Sequence, residues 1–375
     1  MNVMFLMRIL EHGGGAERQL TVLAKGLQSR GHQVTVAVLY GGGNVHEAEL
    51  VEAGVTVVDL QKKGFWDVLG FMDNYFKLLK AIRPDVLHGY MDLQNLLVLL
   101  SKLFLPKTKV VWGLSGSTNG FGRIPPSVRV FFKLSCWLSR KADLIISNSE
   151  AGKRFYASKG YPVNLIEVVP NGIDTEYFRH QESGRQLLRR QWGVSNGQIL
   201  IGNIARLDRI KDHTTFLQAC ARLSQKHPNL KFVCAGEDSV EYRMELELLA
   251  KELGLQDRLI WAGLYSDMPS VYSALDLEVS SSISEGLPNV VPEAMSCRVP
   301  VVATDVGDVR LVLEGIGICP PPSDPVALAE AMDIMLQKDL SDIGHRGRES
   351  IVERYSVDKL ISRTESLLEA VLEKE

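Results

Sequence analysis

The chain reads as an α/β protein built from two Rossmann-like halves facing a central cleft. Three observations lead there. Apolar runs of strand length alternate with segments of helical period from the first residue to about 320, the pattern of a mostly parallel sheet covered on both faces. The alternation is interrupted once, by a polar stretch near 171–195, and then starts again. The length of 375 residues supports more than one domain and a core of ordinary size.

In the first half, Asn2 to Ile9 predicts a buried strand. Glu11-His12-Gly13-Gly14-Gly15-Ala16-Glu17-Arg18 predicts a turn opening a helix, and Leu20, Leu23, Ala24 and Leu27 carry that helix's apolar face. Val34 to Leu39 completes a βαβ unit. The triple glycine lacks GxGxxG spacing, so no dinucleotide fingerprint is supported. Its place after the first strand is still where open α/β sheets bind ligands. Further strands are expected at 55–59, 86–89, 109–114, 144–147 and 166–169. Helices are expected near 66–82, 93–104, 127–141 and 149–158. Pro170-Asn171-Gly172-Ile173-Asp174 then punctuates the chain, and His180 to Arg190 is a polar, charged segment. The second half predicts strands at 198–204, 230–235, 258–262, 275–279, 299–302 and 316–319. Ser356 to Glu375 predicts an amphipathic helix carrying Leu360, Ile361, Leu367, Leu368, Val371 and Leu372. The expected domains are 1–170, 171–355, and a final helix 356–375 that crosses back to the first.

Composition narrows the classes. Cys136, Cys220, Cys234, Cys297 and Cys319 are scattered, odd in number and form no CxxC, which reads as reduced thiols in a cytoplasmic protein. Met1 to Arg8 does not read as a signal peptide, and the apolar run 96–105 is too short to span a bilayer. The net charge of −3 hides an asymmetry. Residues 1–170 carry 20 Lys+Arg against 13 Asp+Glu, and the remainder carries 22 against 32. No acid lies between Asp92 and Asp143, where eight basic residues stand. A basic first half suits an anionic surface or acceptor. No nucleic-acid partner is expected.

Two stretches carry the candidate chemistry. Ser284 to Cys297 reads as a loop turning into a helix at about Asn289, with Asn289 as N-cap and Pro292 tolerated in the first turn. Gly286 admits close backbone approach, and the acids Glu285 and Glu293 bracket the turn. The stretch reads either as a phosphate and polyol site or as a loop with acids at a helix start. Arg206 and Lys211 follow the first strand of the second half. They suit a diphosphate, or form a solvated charged loop.

These features, in their order and spacing, resemble the family-4 retaining glycosyltransferases of the GT-B fold. The residues are Gly13-Gly14-Gly15-Ala16-Glu17, Ser147-Asn148-Ser149, Pro170 to Asp174, Arg206 with Lys211, Glu285 with Glu293, and Val299 to Gly307. The resemblance covers nearly the whole chain and is strongest over 140–320. It implies transfer of a sugar from a nucleotide diphosphate, with UDP the expected nucleotide, to a glycan or lipid-linked acceptor. Neither metal nor other cofactor is implied. It places Arg206 and Lys211 on the donor diphosphate, Glu285 at the donor sugar and Glu293 at the ribose hydroxyls. The N–H groups of Gly286, Leu287, Asn289 and Val290 would meet sugar and phosphate, and Gly14 and Gly15 would close on the diphosphate.

Two departures stand out. Many relatives place a His after the fifth strand, whereas this chain has Ser115 to Asn119, so the role is either missing or taken by Ser115 or Asn119 on the sugar or acceptor side; His12 and His88 are the nearest strand-end alternatives, a lone His being more often structural. After Gly236 the family's second glycine is replaced by acids. A sugar-nucleotide epimerase or hydrolase of the same fold, or a non-catalytic sugar-nucleotide-binding protein, are the alternatives. The segment 124–140 mixes Phe131, Phe132 and Trp137 with Arg129, Lys133 and Arg140. This suits peripheral contact with an anionic membrane at the inner face of the plasma membrane, or aromatics in the core beneath a solvated basic face.

Overall fold

The computed structural model describes residues 1–10, 15–42, 45–64, 67–114, 126–237 and 240–374. It divides into two compact units, Met1–Gly172 with Val357–Glu375, and Ile173–Ser356.

The first unit holds seven parallel strands: β1 (Asn2–Met7), β2 (Gln33–Val38), β3 (Thr56–Asp59), β4 (Val86–Tyr90), β5 (Lys109–Leu114), β6 (Leu144–Ser147) and β7 (Ile166–Val168). Their order is β3-β2-β1-β4-β5-β6-β7. In β1 the two-residue period sends Val3, Phe5 and Met7 into one core and Met4 and Leu6 into another. Both faces are therefore buried, which is why the strands read as continuous apolar runs. The helices Gly15–Ser29 and Val357–Glu373 pack together on one face. They approach closely because Gly26 has no side chain: a Cβ there would lie 2.1 Å from Ile361 Cδ1. Arg30 locks the pair, donating to Glu365 at 2.6 Å and Asp358 at 2.5 Å.

The second unit holds five parallel strands, β8 (Ile199–Ile204), β9 (Leu230–Ala235), β10 (Leu259–Gly263), β11 (Leu277–Ser280) and β12 (Val301–Ala303), in the order β10-β9-β8-β11-β12. The sixth strand expected at 316–319 is reduced to a single bridge, Ile318 to Val302. Ile318 and Pro320 accept N–H bonds from Ala303 (3.1 Å) and Asp305 (2.8 Å). Pro320-Pro321-Pro322 has no N–H to return, so the ladder stops.

The polar segment 180–190 forms the helix Glu182–Gln191. Arg185 and Arg189 both hold the Asp276 carboxylate, at 2.5 and 2.9 Å. The same carboxylate accepts the Leu200 N–H at 2.7 Å, tying this helix to the start of β8. Strand order reverses between β1 and β4 in one unit and between β8 and β11 in the other. Ligands of open α/β sheets bind beyond the carboxyl ends of strands at such reversals.

Candidate active site

In the second unit the loops after β8 and β11, the two strands flanking the reversal, are tied into one assembly. Asp208 shapes the first loop. Its carboxylate accepts the N–H groups of Ile210 (2.8 Å) and Lys211 (3.2 Å), forming the short turn Arg209–Lys211. Asp212 follows in the left-handed region (φ 48°) and caps the next helix by accepting the Thr215 N–H at 3.2 Å. The second loop is fastened to this turn by backbone and side chain. Ile283 N–H donates to Ile210 O (2.8 Å) and Ser281 Oγ to Lys211 O (2.8 Å). From beneath, Asn203 Nδ2 donates to Ser281 Oγ at 3.0 Å.

Two glycines let these loops approach their neighbours. A Cβ on Gly236 would stand 2.1 Å from Ala205 O, and one on Gly307 the same distance from Gly286 O. Gly307 also has φ 58°, which favours glycine. The next residue, Asp308, donates its N–H to Gly286 O at 2.8 Å.

The result is a close ion pair. Lys211 Nζ donates to Glu285 Oε1 at 2.5 Å, with side chains only 20% and 14% exposed. The two loops thus bring Lys211 and Glu285 together. Arg206 is not gathered in. Its side chain is 67% exposed, 3.3 Å from Asp208. Gly286 to Val290 form the connection into the helix Val290–Ser296. Asn289 stands at the N-cap position but in helical conformation, and its side chain makes no capping bond to that helix, a correction to the expected cap. The Leu287 side chain is buried in the unit's core, which leaves its backbone as the part available to a ligand. Gly15 opens the helix Gly15–Ser29 of the first unit. Gly14, Ser115 and Asn119 lie outside the described residues.

Glu293 is 6% exposed. One of its oxygens accepts from the hydroxyl of Tyr272 at 2.8 Å. Burial, reinforced by the Glu293 charge, raises the Tyr272 phenol well above its ordinary value. A further acid lies in β11: Glu278, fully buried. Burial holds its proton well above the usual carboxylate range, with the Glu293 charge adding to this and the Ile204 N–H bond (3.1 Å) opposing it. Its Oε2 has no protein partner. The sequence reading missed both Tyr272 and Glu278. A charged residue at a core position of an apolar strand was the available signal for Glu278. Among the described residues one group, His32, Glu365 and Glu369 of the first unit, has the make-up of a cation site. There the Arg30 guanidinium already compensates Glu365.

Solved structures share this fold along its whole length. HepE of Anabaena, crystallised with UDP, superposes with a TM-score of 0.86 over 99% of this chain and 100% of its own, at 22% identity. A glycosyltransferase from Rickettsia africae ESF-5 gives 0.86 over 100% and 99%, at 18% identity. The molecule therefore has the GT-B fold, the two-unit α/β architecture of glycosyltransferases. In sequence, the family described as glycosyl transferases group 1 matches residues 184–350, and glycosyltransferase family 4 matches 13–177. EpsD of Bacillus subtilis strain 168, itself assigned as a glycosyltransferase, is 25% identical over 79% of each chain. The D-inositol 3-phosphate glycosyltransferase of Corynebacterium urealyticum is 32% identical over 53% of this chain and 49% of its own. The chain belongs to the group 1, family 4 glycosyltransferases.

Proposed function

We propose that the protein is a retaining, metal-independent hexosyltransferase. It moves a sugar from a nucleoside diphosphate, UDP being the expected nucleotide, to a glycan or lipid-linked acceptor in polysaccharide or glycoconjugate assembly. The observation that carries this reading is the Lys211–Glu285 pair on two mutually fastened loops at the sheet reversal. The UDP bound to HepE supports the choice of nucleotide.

In the proposed reaction the bond between the sugar's anomeric carbon and the diphosphate oxygen breaks through an oxocarbenium-like transition state. Negative charge grows on the departing diphosphate. Lys211 has three ammonium protons, so it can hold Glu285 and a phosphate oxygen at once. Arg206, exposed beside Asp208, offers a second cation to the same group. Fixed charges aimed at a developing anion are the strongest single source of rate enhancement. With two protein cations assigned to the leaving group, no metal is required of the mechanism. The acceptor hydroxyl attacks on the face the diphosphate leaves, and its proton passes to the leaving phosphate. Glu285 contacts the donor sugar and Glu293 the ribose hydroxyls. An epimerase or hydrolase would need a dedicated acid–base set.

The test is a thermal-shift screen of UDP-, GDP- and ADP-sugars, followed by NMR of the product anomer, with and without EDTA. Stabilisation by one nucleotide sugar and an EDTA-resistant α-to-α transfer are expected. No shift with any nucleoside diphosphate would overturn the reading.

A second proposal concerns the acceptor side. The helix Pro126–Leu138 exposes Val130, Leu134 and Trp137, spaced i, i+4 and i+7 on one face, with Lys133 exposed among them and Arg140 and Lys141 just beyond. Phe132 on the other face is buried. An apolar stripe edged by cations fits an anionic membrane surface holding a lipid-linked acceptor. Among the described residues no helix is long and apolar enough to cross a membrane.

A further inference from the structure

Inside the first unit, beyond the carboxyl ends of β4 to β7, lies a cavity of about 40 Å³ bounded by the helices Gly15–Ser29 and Val357–Glu373. Among the described residues its lining contains no Asp, Glu, Lys or Arg. Two of its polar side chains have no protein partner although each is 1% exposed: His88, at both ring nitrogens, and Thr364, at Oγ1. Gln19, which also lines it, is spent on Gly172, whose N–H it accepts at 2.8 Å and whose carbonyl it donates to at 3.1 Å.

The His88 imidazole is packed 5.4 Å from the Phe5 ring and 4.8 Å from the Tyr90 ring, centre to centre. Burial pushes it down to about 3, so the ring is neutral and presents one donor and one acceptor. Gly113 keeps the space beside it: a Cβ there would stand 3.1 Å from Nε2. Buried polar atoms without partners are rare and call for an occupant.

The chemistry of that occupant follows from the lining. Among the described lining residues a phosphate or carboxylate would find no cation. A hydroxyl is neutral, donates once and accepts twice, and so matches a neutral imidazole and a threonine hydroxyl. The size limits it further. One water needs roughly 10–15 Å³ of such space, so the cavity holds about three or four waters or a single hydroxymethyl arm, but not a sugar ring.

We infer that this cavity is an acceptor-side subsite that takes one hydroxyl-bearing arm of a neutral sugar, held between His88 and Thr364. The inference rests on the glycosyltransferase reading and narrows it, since acceptors bearing an anionic group at that arm are refused.

Saturation-transfer NMR on the full chain tests it, with methyl α-D-glucopyranoside as probe and methyl α-D-glucuronide as its anionic counterpart. The expected result is contact at the C6 methylene of the glucoside and none with the glucuronide. His88→Phe and Thr364→Val each weaken the glucoside by about tenfold or more, as when a hydrogen-bonding site loses a partner, and His88→Gln retains it. Thermal midpoints report whether each variant folds; should His88→Phe fail to fold, Thr364→Val and His88→Gln carry the test. No glucoside contact, equal binding of the glucuronide, or binding indifferent to these changes overturns the inference and leaves only ordered water in the cavity. A UDP thermal shift on the same samples separates the two readings. UDP binding without glucoside sinks the subsite alone, whereas failure with every nucleoside diphosphate sinks the donor reading.

Discussion

Glu285 and Glu293 bracket one turn and sit in different surroundings. The first pairs with an ammonium that is itself free to reach a phosphate. The second is fixed by a buried phenol. Their removal should therefore separate kinetically. Glu285→Ala is expected to lower kcat about 10²–10³-fold while leaving UDP affinity nearly intact, the size of effect seen when one transition-state contact is lost. Glu293→Ala should instead weaken UDP about tenfold, as a charged hydrogen bond lost from a binding site does. Calorimetry with UDP and initial rates decide it, and indistinguishable effects would sink the division of roles. Glu278 makes a different prediction. Its folded pKa is raised above the ordinary 4.5, so the native state holds a proton that the unfolded chain releases. Its contribution to stability is complete below 4.5 and is lost as pH rises towards the folded value. Glu278→Gln, a permanently neutral mimic, should match the wild type in thermal midpoint near pH 4 and exceed it increasingly as pH rises above the ordinary 4.5. A constant difference across that range would refute the protonated state. The acids at 285 and 293 were legible in the sequence because they flank a turn between a strand and a helix. Tyr272 and Glu278 were not, because what they touch depends on β11 lying beside β8, which no local spacing reveals.

The loops that form the candidate site are set by the sheet as much as by their own residues. Ser281 and Ile283 fasten to the Ile210–Lys211 turn across some seventy positions of sequence. The convergence of the two loops was legible, since both follow strands of the same half. The bonds that fasten them were not. The same limit explains the helix Glu182–Gln191. Nothing local marks the partner of its arginines, since the Asp276 carboxylate is 87 and 91 positions away, beyond any i, i+4 pairing. The bridge at Ile318 fails as a strand for a reason that was in the sequence, three consecutive prolines, but weighed less than the apolar run before them. Among the helices, Pro126–Leu138 yields the sharpest test. Leu134→Glu combined with Trp137→Glu should abolish co-sedimentation with phosphatidylglycerol-containing vesicles without moving the thermal midpoint, because both side chains are already exposed. Retention of binding, or no dependence on anionic lipid in the wild type, would refute the membrane proposal.

At the scale of the whole molecule, the alternation of strands and helices implies two parallel sheets, and their strand orders follow the doubly wound rule. The boundaries fall at Gly172 and Ser356, and the final helix supplies Leu360, Ile361, Leu368 and Val371 to the core of the first unit. Deleting 357–375 should therefore lower the melting transition of the first unit by several degrees or abolish it. Lys211, Glu285 and Glu293 all belong to the second unit, so UDP binding should survive the deletion. Differential scanning calorimetry with and without UDP reads both outcomes, and a single transition lost together with UDP binding would contradict this partition.

The second unit is an uninterrupted insertion whose ends meet, Ile173 donating its N–H to Tyr355 O at 2.7 Å and bridging to Ser356. This has a consequence for the order in which the protein matures on the ribosome. Domains generally fold as units, the N-terminal one first. Here the N-terminal unit can form its sheet early, yet one wall of its core, the helix Val357–Glu373, is made only after the whole inserted unit. The inserted unit is complete while its host still exposes that face, so the half of the chain synthesised first is the half that finishes folding last.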